Sequence, residues 1–131
     1  METVFLELTE ALEIHRDQLE LYGGKQGLVD LELLTSALAA PGAGLGEKYV
    51  HQGPWDMAAA YLYYIINLHP FVDGNMRVGA AAPAVFLELN GFELKAEQSD
   101  LERLVRETAL GKADKTRVAE FFRRHVVKKA L

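Results

Sequence analysis

The stretch His69-Pro-Phe-Val-Asp-Gly-Asn-Met-Arg77 joins the two most apolar segments of the chain. Before it, residues 55–68 (Trp-Asp-Met-Ala-Ala-Ala-Tyr-Leu-Tyr-Tyr-Ile-Ile-Asn-Leu) are apolar nearly all round. After it, residues 77–90 carry Val78, Gly79, a run of alanines, Val85, Phe86, Leu87 and Leu89. A helix that is hydrophobic on every side belongs at the centre of a protein. The sequence thus predicts a central pair of buried helices with a polar turn between them. Polar groups buried without partners cost on the order of a few kcal/mol each, so this turn calls for a cap, a network or a ligand.

The chemistry of the turn narrows the choice. Pro70 disfavours a helical conformation at His69, so the first helix ends there. Gly74 allows a tight turn and close approach of a ligand. The next helix starts near Asn75, and its first backbone N–H groups lack intrahelical partners at the positive end of the dipole, a ready anion site. Arg77 stands in that first turn, where the dipole disfavours a cation; a bound phosphate would reverse the sign. The carboxylate of Asp73 can hold Mg²⁺ against the same phosphate oxygens. Histidine exchanges protons near neutral pH, so His69 can take one from an attacking hydroxyl. Phe71 reads as a core residue pinning the loop. Structural alternatives stand beside these: His69 interacting with the last carbonyls of its helix, Asp73 as a helix N-cap, Asn75 as a source of loop hydrogen bonds, Arg77 paired with a surface acid.

Working outward, residues 8–22 place Leu8, Leu12, Leu19 and Tyr22 on one helical face, with Ala11 and His15 alongside and Thr3 or Thr9 as cap. Gly23-Gly24 ends that helix. Asp30 caps a second, with Leu33, Leu34, Ala37 and Leu38 apolar. Residues 41–54 form the longest irregular segment. Asn90-Gly91 closes the second central helix, Ser99-Asp100 caps a fifth and Asp114 a sixth. Arg123, Arg124, Lys128 and Lys129 complement the dipole of the last. Pro83 lies inside a helix, where it removes a hydrogen bond, and predicts a kink near 79–83. His15 reads as a hydrogen-bonded core histidine, His51 and His125 as solvated or capping residues, and Tyr61, Tyr63 and Tyr64 as core.

The bulk composition fits this plan. The chain has 131 residues, half of them hydrophobic, as expected of one compact domain over 1–131. A net charge of -5 argues against a uniformly basic nucleic-acid-binding surface. Cysteine is absent, which rules out thiol catalysis and cysteine metal sites. The start lacks a basic, apolar secretory signal, and the longest apolar stretch is broken by Asn67 and His69, so no membrane span is expected. The segment after Pro41 lacks the Gly-Lys-Ser/Thr ending of a P-loop, and no His-x-x-x-His pair supplies zinc ligands.

The quoted stretch closely resembles the Fic/Doc signature, His-x-Phe-x-Asp/Glu-Gly/Ala-Asn-Lys/Gly-Arg. Leu21-Tyr-Gly-Gly24, Gly27-Leu-Val-Asp30, Leu34-x-x-Ala37-Leu38 and Phe86-Leu-Glu-Leu-Asn-Gly91 extend the likeness to the Doc branch, over roughly residues 5–125. The resemblance implies an all-α Fic fold of about six helices. It also implies a cytoplasmic enzyme that transfers part of a nucleoside triphosphate to a protein hydroxyl. In the Doc branch the terminal phosphate of ATP goes to elongation factor Tu and translation stops; other Fic members move AMP. Carried over, His69 is the general base, Asp73 the Mg²⁺ ligand, and Gly74, Asn75, Met76 and Arg77 the phosphate-binding positions, with residues 42–53 as the flap that aligns the target. Ala80 stands where AMP-transferring members usually carry a second arginine, and no Ser/Thr-x-x-x-Glu-Gly/Asn inhibitory helix is present. A Doc-like toxin would be restrained by a separate antitoxin. Met76 departs from the pattern, standing where Doc has lysine and Fic has glycine, so a catalytically impaired binding protein is a further reading.

Overall fold

The computed structural model describes residues 2–45 and 48–130. Among them are six helices: α1 (Leu8–Tyr22), α2 (Leu31–Ala39), α3 (Gly53–Leu68), α4 (Asn75–Leu89), α5 (Gln98–Ala109) and α6 (Lys115–His125). The fold is all-α, as the sequence predicts. Two antiparallel ribbons join the helices: β1 (Gly44–Leu45) with β2 (Lys48–Tyr49), and β3 (Phe92–Leu94) with β4 (Val126–Lys128). Strands of two or three residues carry too little alternation to be read from sequence. The first ribbon lies inside the 41–54 segment, which therefore holds a hairpin and a single 3₁₀ turn at Ala40–Gly42. Residues 46–47 of the expected flap lie outside the described residues.

Helix α3 is the axis of the core. Met57, Ala58, Ala59, Ala60, Tyr61, Leu62, Ile65 and Ile66 are all buried. They meet Val78, Ala82, Phe86 and Leu87 of α4, Leu34 and Ala37 of α2, and Val118 and Phe122 of α6. The small residues of α4 let the central pair close up. A Cβ on Gly79 would stand 2.7 Å from Ile66 Cγ1, closer than packed carbons allow. Pro83 is buried inside α4, and residues 75–89 are helical throughout, so the proline does not divide the element.

Four local expectations are corrected. Helix α1 is capped at Glu7, not at Thr3 or Thr9: the Glu10 carboxylate accepts from the Glu7 N–H at 2.9 Å. Its buried face is Ala11, Ile14 and His15, whereas Leu12 and Tyr22 are exposed. Helix α5 starts two to three residues earlier than Ser99-Asp100 suggests, with Glu97 as N-cap, and Asp100 supports the first turn by its charge on the dipole.

The fourth correction is His51, which is 8% exposed rather than solvated. The hairpin folds it beneath α6, where the Lys115 ammonium donates to Nε2 at 3.3 Å and to the Tyr64 hydroxyl at 3.2 Å. Burial, then the Lys115 charge, lower the His51 pKa from its ordinary value of 6.5, against an opposing pull from Asp56. The folded state thus favours the neutral ring, and below that ordinary value the unfolded chain binds more protons. The stabilisation is complete above it and is lost as pH falls through the folded-state value. Between about pH 7.5 and about pH 5, His51→Gln is expected to lose less thermal stability than the parent chain. Parallel melting curves would refute this.

Candidate functional site

The turn between α3 and α4 begins with an unusual backbone. Among the described residues, His69 is the only non-glycine with a left-handed conformation, φ 53 and ψ 55. Pro70 disfavours the right-handed helical region at His69. The chain takes the left-handed cap instead, with the His69 N–H donating to the Ile65 carbonyl at 3.1 Å. Such a conformation costs a β-carbon-bearing residue roughly 1–2 kcal/mol, and strain of this kind clusters at functional sites. The His69 side chain is exposed.

Phe71 and Asn75 lock the turn from inside. Phe71 is fully buried. The Asn75 amide donates to the Phe71 carbonyl at 2.8 Å, and its oxygen accepts from the Phe71 N–H at 3.0 Å. The Asn75 side chain is thus committed to the loop, and what it can offer an anion is its backbone N–H. Gly74 is the N-cap of α4, left-handed at φ 83, and no side chain caps the helix. Its own N–H donates to Asp73 Oδ1 at 2.9 Å. The N–H groups of Asn75, Met76 and Arg77 follow, before the first helical bond from Val78 to Gly74 at 3.0 Å.

Asp73 is exposed but held. Its Oδ2 accepts from the Lys25 N–H at 3.1 Å. That bond and the one from Gly74, helped by the Arg77 and Lys25 charges, hold its carboxyl below the usual range, fully ionised near neutral pH. It does not cap α4 through the N–H groups of the first helical turn. Among the described residues no three acids or histidines group around a metal. A single ionised carboxylate suits Mg²⁺, which is commonly bound by one or two carboxylates plus substrate phosphates and waters. Both Asp73 oxygens keep lone pairs for that purpose.

Arg77 does not seek a surface acid. Its Nη1 donates to the Gly23 carbonyl at 3.2 Å, and the guanidinium lies 4.8 Å from the centre of the Tyr22 ring. The carbonyl end of α1 and the ring face both favour a cation. They offset the unfavourable position at the start of α4, so the charge does not by itself require a phosphate, and the other guanidinium donors remain for one. Met76 is 41% exposed and points away from the core.

The segment after α1 explains what the Gly23-Gly24 pair does beyond stopping a helix. Residues 27–29 run antiparallel to 70–72, with the Val29 N–H donating to the Pro70 carbonyl at 2.7 Å and the Val72 N–H to the Gly27 carbonyl at 2.9 Å. Gly24 has a φ of 124 that side chains rarely adopt, and a Cβ there would stand 2.9 Å from both Asp73 Oδ2 and Leu19 Cδ2, so the position suits glycine and lets the carboxylate lie against it. His15 is a hydrogen-bonded core histidine, as expected, 7% exposed. His125 is half-buried, its Nδ1 donating to the Phe121 carbonyl at 2.8 Å. Tyr61 is buried, with its hydroxyl pushed up to about 12 by burial; Tyr63 and Tyr64 are half-buried.

The α3–α4 turn and the residues of α1 packed on it fall in a region shared with known proteins. The family model described as "Fic/DOC family" matches residues 5–87. The chain belongs to the Fic/DOC family. The match takes in α1, the Gly-Gly segment, the α3–α4 turn and most of α4, and the helical architecture is that of the Fic fold. Among curated proteins, Toxin Doc of Mycolicibacterium smegmatis (strain ATCC 700084 / mc(2)155) is 38% identical over 76 residues. The alignment spans 58% of this chain and 58% of that protein. No helix among the described residues of this Fic/DOC chain is long and apolar enough to cross a membrane.

Proposed function

We propose that this Fic/DOC protein is a Doc-like toxin of the cytoplasm that moves the terminal phosphate of ATP to a hydroxyl of a protein. The observation that carries the reading is one turn holding three things: an uncapped helix start, an anchored ionised carboxylate and an exposed imidazole. The N–H groups at the start of α4 and the free donors of Arg77 bind phosphate oxygens. Asp73 would hold Mg²⁺, which when bound supplies positive charge against those oxygens. His69 takes the proton as the target oxygen bonds to the γ-phosphorus; the bond to the bridging oxygen breaks and ADP leaves. The hairpin of β1 and β2 falls within residues 42–53, the segment that the family resemblance suggests as the flap aligning the target. The name of the M. smegmatis relative supports the toxin reading. The family resemblance suggests elongation factor Tu as target and a separate antitoxin as restraint.

Labelling in a cell lysate tests this. With Mg²⁺, ATP labelled at the γ-phosphate should mark a protein band, and ATP labelled at the α-phosphate should not. A band from the α-label would assign AMP transfer instead. No band from either would count against catalysis and favour a binding protein. Met76 bears on that last reading. Its side chain is exposed, so a lysine fits without repacking the core and would add a charge in the first turn of α4. Met76→Lys is expected to raise transfer and slow cell growth more than the parent chain; growth and labelling unchanged by it would remove position 76 from the phosphate site.

A further inference from the structure

We infer that His15, on α1, is a positioning residue for Asp73 of the α3–α4 turn. The inference rests on the proposed reading that Asp73 faces the metal and phosphates of a nucleotide. His15 and Asp73 are 58 residues apart, and His15 Nε2 lies 2.9 Å from the Asp73 carbonyl oxygen. A carbonyl only accepts, so Nε2 carries the hydrogen. The imidazole also stacks on Phe71, with ring centres 3.8 Å apart and planes 8° from parallel. Phe71 is the residue that Asn75 clamps at both backbone atoms. One buried ring therefore fixes the turn on two sides of its functional carboxylate.

Asp73 is held at three points. His15 takes its carbonyl, the Gly74 N–H takes Oδ1, and the Lys25 N–H takes Oδ2. The carbonyl bond sets the peptide plane that leads into Gly74, and so the direction of the N–H that holds Oδ1. A β-carbon on Gly74 would make ordinary contact with the ring, 3.6 Å from His15 Cδ2 and Nε2. Removing the donor frees the peptide to rotate and takes the carboxylate with it. A carboxylate that must meet a metal in near-octahedral geometry tolerates little such freedom. Loss of a group that orients a ligand typically costs about 10–100-fold in metal affinity.

Two substitutions separate the donor from the packing. His15→Phe keeps a flat ring on Phe71 and removes the donor. His15→Gln removes the ring and restores an N–H at similar reach. The first measurement is amide hydrogen exchange in the nucleotide-free protein. We expect the Gly74 and Lys25 amides to exchange at least ~10-fold faster in His15→Phe, with recovery in His15→Gln and with the central amides of α3 unchanged as a control on folding. Unchanged exchange at Gly74 and Lys25 in His15→Phe, or no recovery in His15→Gln, overturns the inference whatever the protein binds. The second is the Mg²⁺ dependence of ATP binding by calorimetry. In His15→Phe the Mg²⁺ needed for half-maximal enhancement should rise at least ~10-fold, with metal-free ATP affinity unchanged. If Asp73→Asn leaves the Mg²⁺ dependence intact, the role proposed for Asp73 fails, while the exchange result still decides whether His15 positions it.

Discussion

Replacing His69 by alanine is expected to reduce phosphate transfer by about 10²–10⁴-fold, the usual contribution of a positioned acid or base, while ATP affinity changes little. The expectation follows from the division of labour in the turn. The groups suited to phosphate are backbone N–H groups at the start of α4 and the donors of Arg77. None of them depends on the His69 side chain, which is exposed and cements no part of the core. The backbone at His69 bears the same point. Its left-handed cap ends α3 and starts the turn, and alanine occupies that region no more easily than histidine. A modest loss of stability common to His69→Ala and His69→Gln would reflect that backbone, and is separable from catalysis by comparing melting curves with single-turnover rates. Glycine at the same position relieves the cap and should melt no lower than alanine while being equally inactive. Transfer within threefold of the parent in His69→Ala would show that the proton goes elsewhere.

Which parts of this arrangement could be read from sequence has a physical pattern. The stop of α1 at Gly23-Gly24, the start of α2 at Asp30, the existence of the central pair and the stop at His69-Pro70 are all legible because their causes are local. They follow from helical spacing of apolar residues, Gly-Gly and Asn-Gly stops, aspartate caps and a proline. The family signature added the chemistry of the turn. What could not be read are the contacts that hold the turn from outside. His15 meets Asp73 across 58 residues and Arg77 meets Gly23 across 54, and no local rule relates such positions. The face of α1 was misjudged for a related reason. Leu12 and Tyr22 outweigh Ala11 and His15 in hydrophobicity, yet Ala11, Ile14 and His15 are the buried side, where a turn distant in sequence offers the His15 ring a carbonyl and the Phe71 ring to stack on. His51 was misread because its burial depends on a short hairpin and on Lys115 of α6. Arg77 is the instructive case. In sequence its charge reads as a sign of a bound phosphate, and the structure supplies a carbonyl and a ring that satisfy it in part.

Asn75→Ala is expected to be strongly destabilising. Asparagine at this position looks in sequence like a phosphate ligand, and the residue is instead buried, only 4% exposed. Both of its polar atoms serve Phe71. Alanine leaves a buried N–H and a buried carbonyl without partners, at about 1–3 kcal/mol each, so the total falls between about 2 and about 6 kcal/mol. Asn75→Asp separates the two bonds. It keeps an acceptor for the Phe71 N–H and opposes the Phe71 carbonyl with a second oxygen, so it should also destabilise despite its matching shape. Denaturant unfolding measures both, with unchanged slope if only stability has moved. A direct phosphate ligand behaves differently: its removal lowers ATP affinity and leaves the unfolding midpoint in place. Arg77→Ala, whose exposed guanidinium gives up one bond to Gly23, should show that second pattern. A stable, folded Asn75→Ala with weakened ATP binding would return the side chain to the phosphate site and leave the Phe71 clamp without its assigned role.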